Sequence, residues 1–320
     1  MTRRVALALA ALTWSGCGAG GAGDDDGPAD AALADAPVVD SAPADALVDA
    51  PPCSATPEAP PLGAFFDTAQ LAIAADGTIY RSPEQPFGEV DRWTPGHGDP
   101  EPYVTLLGGP RINGMAIDPL SGHLFVASET GLWELDPTVS PPAPVKRVAD
   151  RTRAIAAGPD GAIYFTSLQG GTDDIRRMTA TTEPTVVAAP LYAEPWDLLV
   201  DGPDALIITD LATTRAYRIT LDPQTHTQRD RVMILDNGEK PYALARDAAA
   251  HYYYVSFTGE LRRYELGVGF GNATELRLGD ASVKSALDLA FARGPLGCTD
   301  LFAATPMELT QLTVGTTGTP

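Results

Sequence analysis

One unit recurs six times along the chain, and this repeat limits the fold more than any other feature. From residue 61 onward an apolar run, a turn and a second apolar run appear as LAIAADGTIYRS (71–82), MAIDPLSGHLFVAS (115–128), IAAGPDGAIYFTS (155–167), LLVDGPDALIITD (198–210), ALARDAAAHYYYVS (243–256) and LDLAFARGPLGCTDLFAAT (287–305). Matching positions in the second run are Ile79, Leu124, Ile163, Leu206, Tyr252 and Leu301, spaced by 45, 39, 43, 46 and 49 residues. Each unit continues into a third short strand, such as VDRW (90–93) or GLWEL (131–135). A fourth follows, such as YVTLL (103–107) or RVMIL (231–235). Four short strands per period, with Asp-Gly and Pro-Asp turns and no helical periodicity, are the pattern of propeller blades. A pair of β-sandwiches would not carry one period along the whole length. The expectation is an all-β, six-bladed β-propeller of four-stranded antiparallel blades spanning residues 53–320.

The last unit has no fourth strand of its own after ELTQL (308–312). LGAFFDT (62–68), directly before the first unit, is the segment available to supply it and close the ring, which would leave no exposed sheet edge. Cys53 lies just upstream of that segment and Cys298 inside the last unit. A disulfide between them would staple the seam; two free buried thiols are the alternative.

Residues 1–16 read as a signal peptide, with Arg3 and Arg4 as the positive region, Val5–Leu12 as a short apolar stretch and Ser15-Gly16 as small residues before a cut. Trp14-Ser15-Gly16-Cys17 resembles a bacterial lipobox, in which the cysteine takes a lipid and becomes the mature N-terminus; Trp14 stands where that pattern has Leu. The resemblance implies lipidation of Cys17, and ordinary soluble export is the alternative. Lipidation would leave Cys53 and Cys298 as one pair in an oxidising compartment. Residues 17–52 follow as a tether. Of the 35 residues 18–52, 29 are Ala, Asp, Gly or Pro, too polar and too alike in charge to bury a core. This stretch resembles the linker after the lipid cysteine in myxobacterial lipoproteins. A flexible chain of that length reaches about 30–35 Å. The localisation expected is the cell envelope, lipid-anchored to the outer membrane, on its periplasmic or surface face.

The formal charge is −20, and residues 61–320 hold 33 acids against 20 bases. Such a body repels polyphosphate and anionic lipid, so nucleic-acid binding and a polybasic membrane contact are excluded. A monomer is expected. Against this background the loops leading into the innermost strands collect Arg111, Arg151, Arg153, Lys240 and Lys284, with Asp67, Glu194 and Asp197 as the acids. Since propellers bind ligands where such loops converge, Arg111, Arg153 and Lys240, with Asn113 as a neutral donor and Trp196 as a stacking wall beside Tyr242, form a candidate site for a small anion. The competing expectation is that these bases pair with carboxylates and cement neighbouring blades. Arg176-Arg177 and Arg262-Arg263 read as a solvated blade face, and the four histidines as turn or surface residues.

The units resemble six-bladed propellers of the NHL-repeat and gluconolactonase-like group across residues 61–320. INGMAID (112–118) is similar to the P-N-G-L-A-x-D run of the lactonases, and PWDLLVDGPDALIITD (195–210) to an NHL unit. In the lactonases a Glu of the first blade, two Asn and an Asp hold a divalent metal. Asn113 falls on a matching position; Ala69-Gln70 stands where the Glu would be, and Trp196 where the Asp would be. The resemblance therefore implies the fold, with no catalytic residue and no cofactor carried over. Function is expected to be binding of a small anionic ligand or a cell-envelope protein. The alternative is a metal-dependent lactonase using a cation such as calcium. H-E-x-x-H, G-x-S-x-G and C-x-x-C are absent from the sequence.

Overall fold

The structure is a computed structural model and describes residues 60, 65, 67–169, 172–192, 194–236, 240–256, 259–265, 274–275, 283, 286–314 and 318. Among the described residues twenty-three strands build six antiparallel sheets. Blade 1 comprises β1 (Thr68–Ile73), β2 (Ile79–Pro83), β3 (Glu89–Trp93) and β4 (Glu101–Thr105); blade 2 comprises β5 (Ile112–Ile117), β6 (Leu124–Ser128), β7 (Gly131–Leu135) and β8 (Val145–Val148). Blade 3 holds β9 (Arg151–Ala157), β10 (Ile163–Gln169), β11 (Thr172–Met178) and β12 (Thr185–Tyr192), and blade 4 holds β13 (Pro195–Val200), β14 (Ala205–Asp210), β15 (Arg215–Leu221) and β16 (Gln228–Leu235). Blade 5 runs through β17 (Pro241–Arg246), β18 (His251–Ser256), β19 (Leu261–Glu265) and β20 (Thr274–Glu275), and blade 6 through β21 (Asp288–Phe291), β22 (Asp300–Ala304) and β23 (Leu309–Thr313). Each blade is a meander whose strands pair in chain order. Among the described residues no helix is long and apolar enough to cross a membrane.

The expected turns are present. Asp76-Gly77 joins β1 to β2, with Gly77 at φ 83° and Asp76 Oδ1 accepting from the Thr78 amide at 2.9 Å. Asp160-Gly161 repeats the device between β9 and β10, with Gly161 at φ 74°. Both glycines hold a left-handed backbone that a side chain would strain. The fourth strand of blade 1 starts and ends two residues earlier than the YVTLL run. Leu106 instead turns back, its amide donating to Gly88 O at 2.8 Å.

Burial explains why the second runs are continuously apolar. Leu124–Ser128 and Ala205–Asp210 are buried at every position, because each blade is covered on both faces by its neighbours. Six apolar clusters fill the six interfaces. Tyr80 and Val90 meet Leu124 and Trp133 between blades 1 and 2, and Phe125 and Leu132 meet Ile163 and Phe165 between blades 2 and 3. The series continues through Tyr164 with Leu206, Ile207 with Tyr254, and Tyr253 with Leu301. It closes where Leu71, Ile79 and Trp93 of blade 1 pack against Phe302, Ala304 and Leu309 of blade 6.

Blade 6 has three strands among the described residues. Most of the LGAFFDT segment lies outside them, but Phe65 is described: it is fully buried in the seam cluster, its ring 6.4 Å edge-to-face from Trp93. Cys298, half-buried between β21 and β22, is disulfide-bonded. Cys53 and Cys17 lie outside the described residues, as does the whole of residues 1–59.

Arg176 and Arg177 are not a solvated face. Arg176 is held by Asp174 at 3.0 Å, and Arg177 by Asp160 at 2.9 Å and the Tyr164 hydroxyl. His123 precedes β6 as expected, whereas His251 is the first residue of β18 rather than a turn residue; each leans on a carboxylate, Glu134 at 2.6 Å and Asp247 at 2.7 Å.

Candidate functional site

The six inner strands leave a cavity of about 530 Å³ along the ring axis. Their registers align one ring of aliphatic residues: Leu71, Met115, Ile155, Leu198, Leu244 and Leu289 each face the residue two after the matching position of the second run, Arg81, Val126, Phe165, Ile208, Tyr254 and Ala303. One residue toward the mouth lie Gln70, Gly114, Ala154, Asp197, Ala243 and Asp288. The level above holds Ala69, Asn113, Arg153, Trp196, Tyr242 and Leu287.

In blades 1 to 5 the ladder breaks at this upper level. The pairing skips between Thr68 and Gln70, Ile112 and Gly114, Thr152 and Ile155, Pro195 and Leu198, and Pro241 and Ala243. An extra residue on the inner strand makes a bulge, which turns its side chain out of the ladder and toward the mouth. Threonines on the second strands repair the missing bonds in two blades. Thr166 Oγ1 accepts from the Ala154 amide and Thr209 Oγ1 from the Asp197 amide, both at 3.0 Å.

The sequence-expected residues fall on this frame unequally. Asn113 and Trp196 line the cavity. Asn113 Nδ2 donates to Thr152 O of blade 3 at 2.9 Å. Trp196 stands between neighbours, with the Tyr242 ring edge-on at 5.3 Å on one side and the Arg153 guanidinium over its face at 5.3 Å on the other. Arg153 also pairs with Glu194 of the next blade at 3.5 Å, as the cementing expectation has it. Burial pushes its guanidinium pKa down, with Arg151 adding repulsion. Arg111 is exposed, and neither it nor Lys240 is among the described residues that line the cavity.

Sequence reasoning placed Asp197 in the charge count and one residue past the position of the lactonase ligand Asp, and did not single out Asp288. Asp197 Oδ2 accepts from Leu244 N at 2.6 Å and Oδ1 from Leu198 N at 2.7 Å. Asp288 repeats the geometry, Oδ2 to Leu71 N and Oδ1 to Leu289 N, both at 2.8 Å. Each carboxylate thus covers a bare edge amide of the next blade's inner strand, joining blade 4 to 5 and blade 6 to 1. Burial pushes Asp197 up to about 7, against the pull of its two amide bonds. Asp288 is raised well above the usual carboxylate range, first by burial and then by the charge of Asp197. The recurrence of Asp directly before the ring leucine, in WDLL and LDLA, was the signal available in the sequence.

Deeper in the ring, Asp201 accepts from the Tyr252 hydroxyl at 2.5 Å and Arg218 Nε at 2.6 Å, and lies 3.1 Å from Arg246 Nε. This network ties blade 4 to blade 5.

The residues present do not fit the divalent metal of the lactonases. Trp196 occupies the carboxylate position that the resemblance implies, Ala69-Gln70 stands in place of the Glu, and among the described residues no group of three or more His, Cys, Asp or Glu could hold a metal.

The arrangement defines a six-bladed β-propeller with a polar mouth on an apolar channel. No protein-family model and no curated protein matches the sequence. Solved structures do match in fold. A luciferin-regenerating enzyme superposes with a TM-score of 0.64 at 12% identity, covering 79% of this chain and 94% of that one. Regucalcin, a calcium-binding protein from Agrobacterium tumefaciens, gives 0.62 at 16% identity over 82% and 96%. A gluconolactonase from Xanthomonas campestris gives 0.62 at 15% over 78% and 88%. The gluconolactonase-like resemblance thus holds at the level of the fold.

Proposed function

We propose that the protein is an exported, lipid-tethered propeller that binds a small molecule at the mouth of its central channel. The carrying observation is the axial cavity of about 530 Å³, lined at its mouth by Gln70, Asn113, Trp196, Asp197 and Asp288 over an aliphatic ring. Large apolar walls with a few convergent polar groups are the general form of a small-ligand site. Of the cations behind the anionic expectation, Arg111 and Lys240 do not line the cavity and Arg153 is engaged by Glu194; the basic side chains that do line it are Arg246 and Arg293, toward the deeper ends of blades 5 and 6. Tethering rests on the Cys17 motif and the Asp/Ala/Pro/Gly linker, and the Cys53–Cys298 pairing on their places beside the seam.

The test is a thermal-shift and calorimetric screen of the mature chain against small cations, anions and neutral polyols. Saturable stabilisation by one class is expected, weakened at least tenfold in Trp196→Ala. A screen in which no class binds would refute the reading. A second reading, lactone hydrolysis, is favoured by one feature: Asp197 in the channel can exchange a proton near neutral pH. Turnover of δ-gluconolactone, lost in Asp197→Asn, would establish it; no turnover with or without added calcium or zinc would end it.

A further inference from the structure

Two lumen carboxylates make no ion pair among the described residues: the two arginines of the cavity, Arg246 and Arg293, stand two and four residues past the leucine level on their chains, away from the mouth, and Arg246 is taken by Asp201. Among the described residues the hydrogen bonds of Asp197 and Asp288 go to four backbone amides, one per oxygen, which leaves each oxygen a second lone pair. A carboxylate held in an apolar channel without a counter-charge is unfavourable, and two that repel each other are more so. Gln70 adds an independent sign. It is 8% exposed, lines the same cavity, and its side-chain amide makes no hydrogen bond among the described residues. Nearly buried amides normally find a partner. Gln70 directly precedes Leu71, whose amide is bonded by Asp288, so the two side chains are ring neighbours.

Blades 1, 4 and 6 therefore present three acceptors at one level, Gln70 Oε1 and the two carboxylates. Trp196 stands one level above, and Leu71, Leu198, Leu244 and Leu289 one level below. We propose that this level binds a primary ammonium group carried on a short apolar body. An ammonium offers three donors and no acceptor, which matches three acceptor groups. Its carbon chain would lie against the leucine collar, and the Trp196 face would attract the cation from the mouth side. Once proton release gives this level its negative charge, which Asp197 does above about 7, an anion would meet like charge and a neutral polyol would leave it uncompensated. The inference rests on the small-molecule reading above and deepens it by fixing the charge of the ligand.

The experiment titrates the mature chain at pH 8 with n-pentylammonium, and in parallel with 1-pentanol, gluconate, calcium and pentyltrimethylammonium. Saturable binding of n-pentylammonium is expected, with the trimethyl analogue at least tenfold weaker because it has no N–H. Asp288→Asn should weaken n-pentylammonium at least tenfold. Gln70→Lys brings an ammonium to the ring within the chain itself; it should raise the melting temperature and abolish n-pentylammonium binding, a result that misfolding cannot imitate. Pentanol binding as tightly as n-pentylammonium would overturn the proposal, as would a lower melting temperature in Gln70→Lys. Binding of gluconate or calcium without n-pentylammonium would overturn the ammonium assignment while leaving the small-molecule reading in place. No binding by any probe would remove both.

Discussion

Replacing Phe302 with Ala tests whether the ring is closed. Phe302 is fully buried in the seam cluster, with Phe65, Leu71, Ile79 and Trp93 of the N-terminal side against Leu296, Ala304 and Leu309 of blade 6. Truncating a buried Phe to Ala costs about 3–5 kcal/mol, combining lost transfer energy with the cavity left behind. In a domain of this size about 2 °C of melting temperature is lost per kcal/mol, so a drop of about 6–10 °C is expected. Phe165 provides the internal standard. It is equally buried, in the cluster between blades 2 and 3, where chain continuity guarantees the interface. A closed ring makes the two substitutions cost the same within about 1 kcal/mol, whereas an open ring leaves Phe302 partly wet and cheap to remove. Urea melts of Phe302→Ala and Phe165→Ala, with equal slopes, give the comparison. A seam loss below half the Phe165→Ala loss would refute closure.

The carboxylates of the lumen should make stability fall as pH rises. Their folded pKa values are raised, Asp197 to about 7, so the folded chain holds protons that the unfolded chain has released above about pH 4. Their contribution is complete below that pH, and the Asp197 part is lost on rising through about 7; Asp197→Asn should flatten the melting-temperature profile between pH 4.5 and 8, and an unchanged profile would refute the assignment. Asp201→Ala should cost about 3 kcal/mol in denaturant titration, because it strands the Tyr252 hydroxyl and two arginines at the blade 4–5 junction; a loss under about 1 kcal/mol would make the network incidental. Cys17→Ser should shift the protein from the membrane to the soluble fraction or block its processing, and unchanged membrane partition would exclude lipid anchoring.

The fold was legible because a propeller writes itself as a period. Each second run is buried on both faces, so LFVAS and LIITD announce themselves without a partner strand in view. Strand ends were less legible: Leu106 looks like strand and is a buried turn residue, since apolarity reports burial and not pairing. The site was half legible. Trp196 and Asn113 stood out by type and position, and both line the cavity. The arginines misled because charge in a loop says nothing of where the guanidinium ends; Arg153 reaches Glu194 one blade away. Asp197 and Asp288 were hidden by the overall acidity, which made two more carboxylates unremarkable until their register placed them together around one lumen.

The bulges at the mouth have a bearing on how such a protein can change. Ala69, Asn113, Arg153, Trp196 and Tyr242 occupy positions that the sheet ladders pass over, so their identities are uncoupled from the pairing that builds the blades. Five adjacent positions outside the ladders resemble the randomised loops of a display scaffold: chemistry at the rim can be rewritten one blade at a time without breaking strand pairing, with the loss of a cross-blade contact where Asn113 or Arg153 is exchanged. Scaffold and rim can therefore drift at different rates, which lets sequences with nearly all rim residues exchanged keep one architecture.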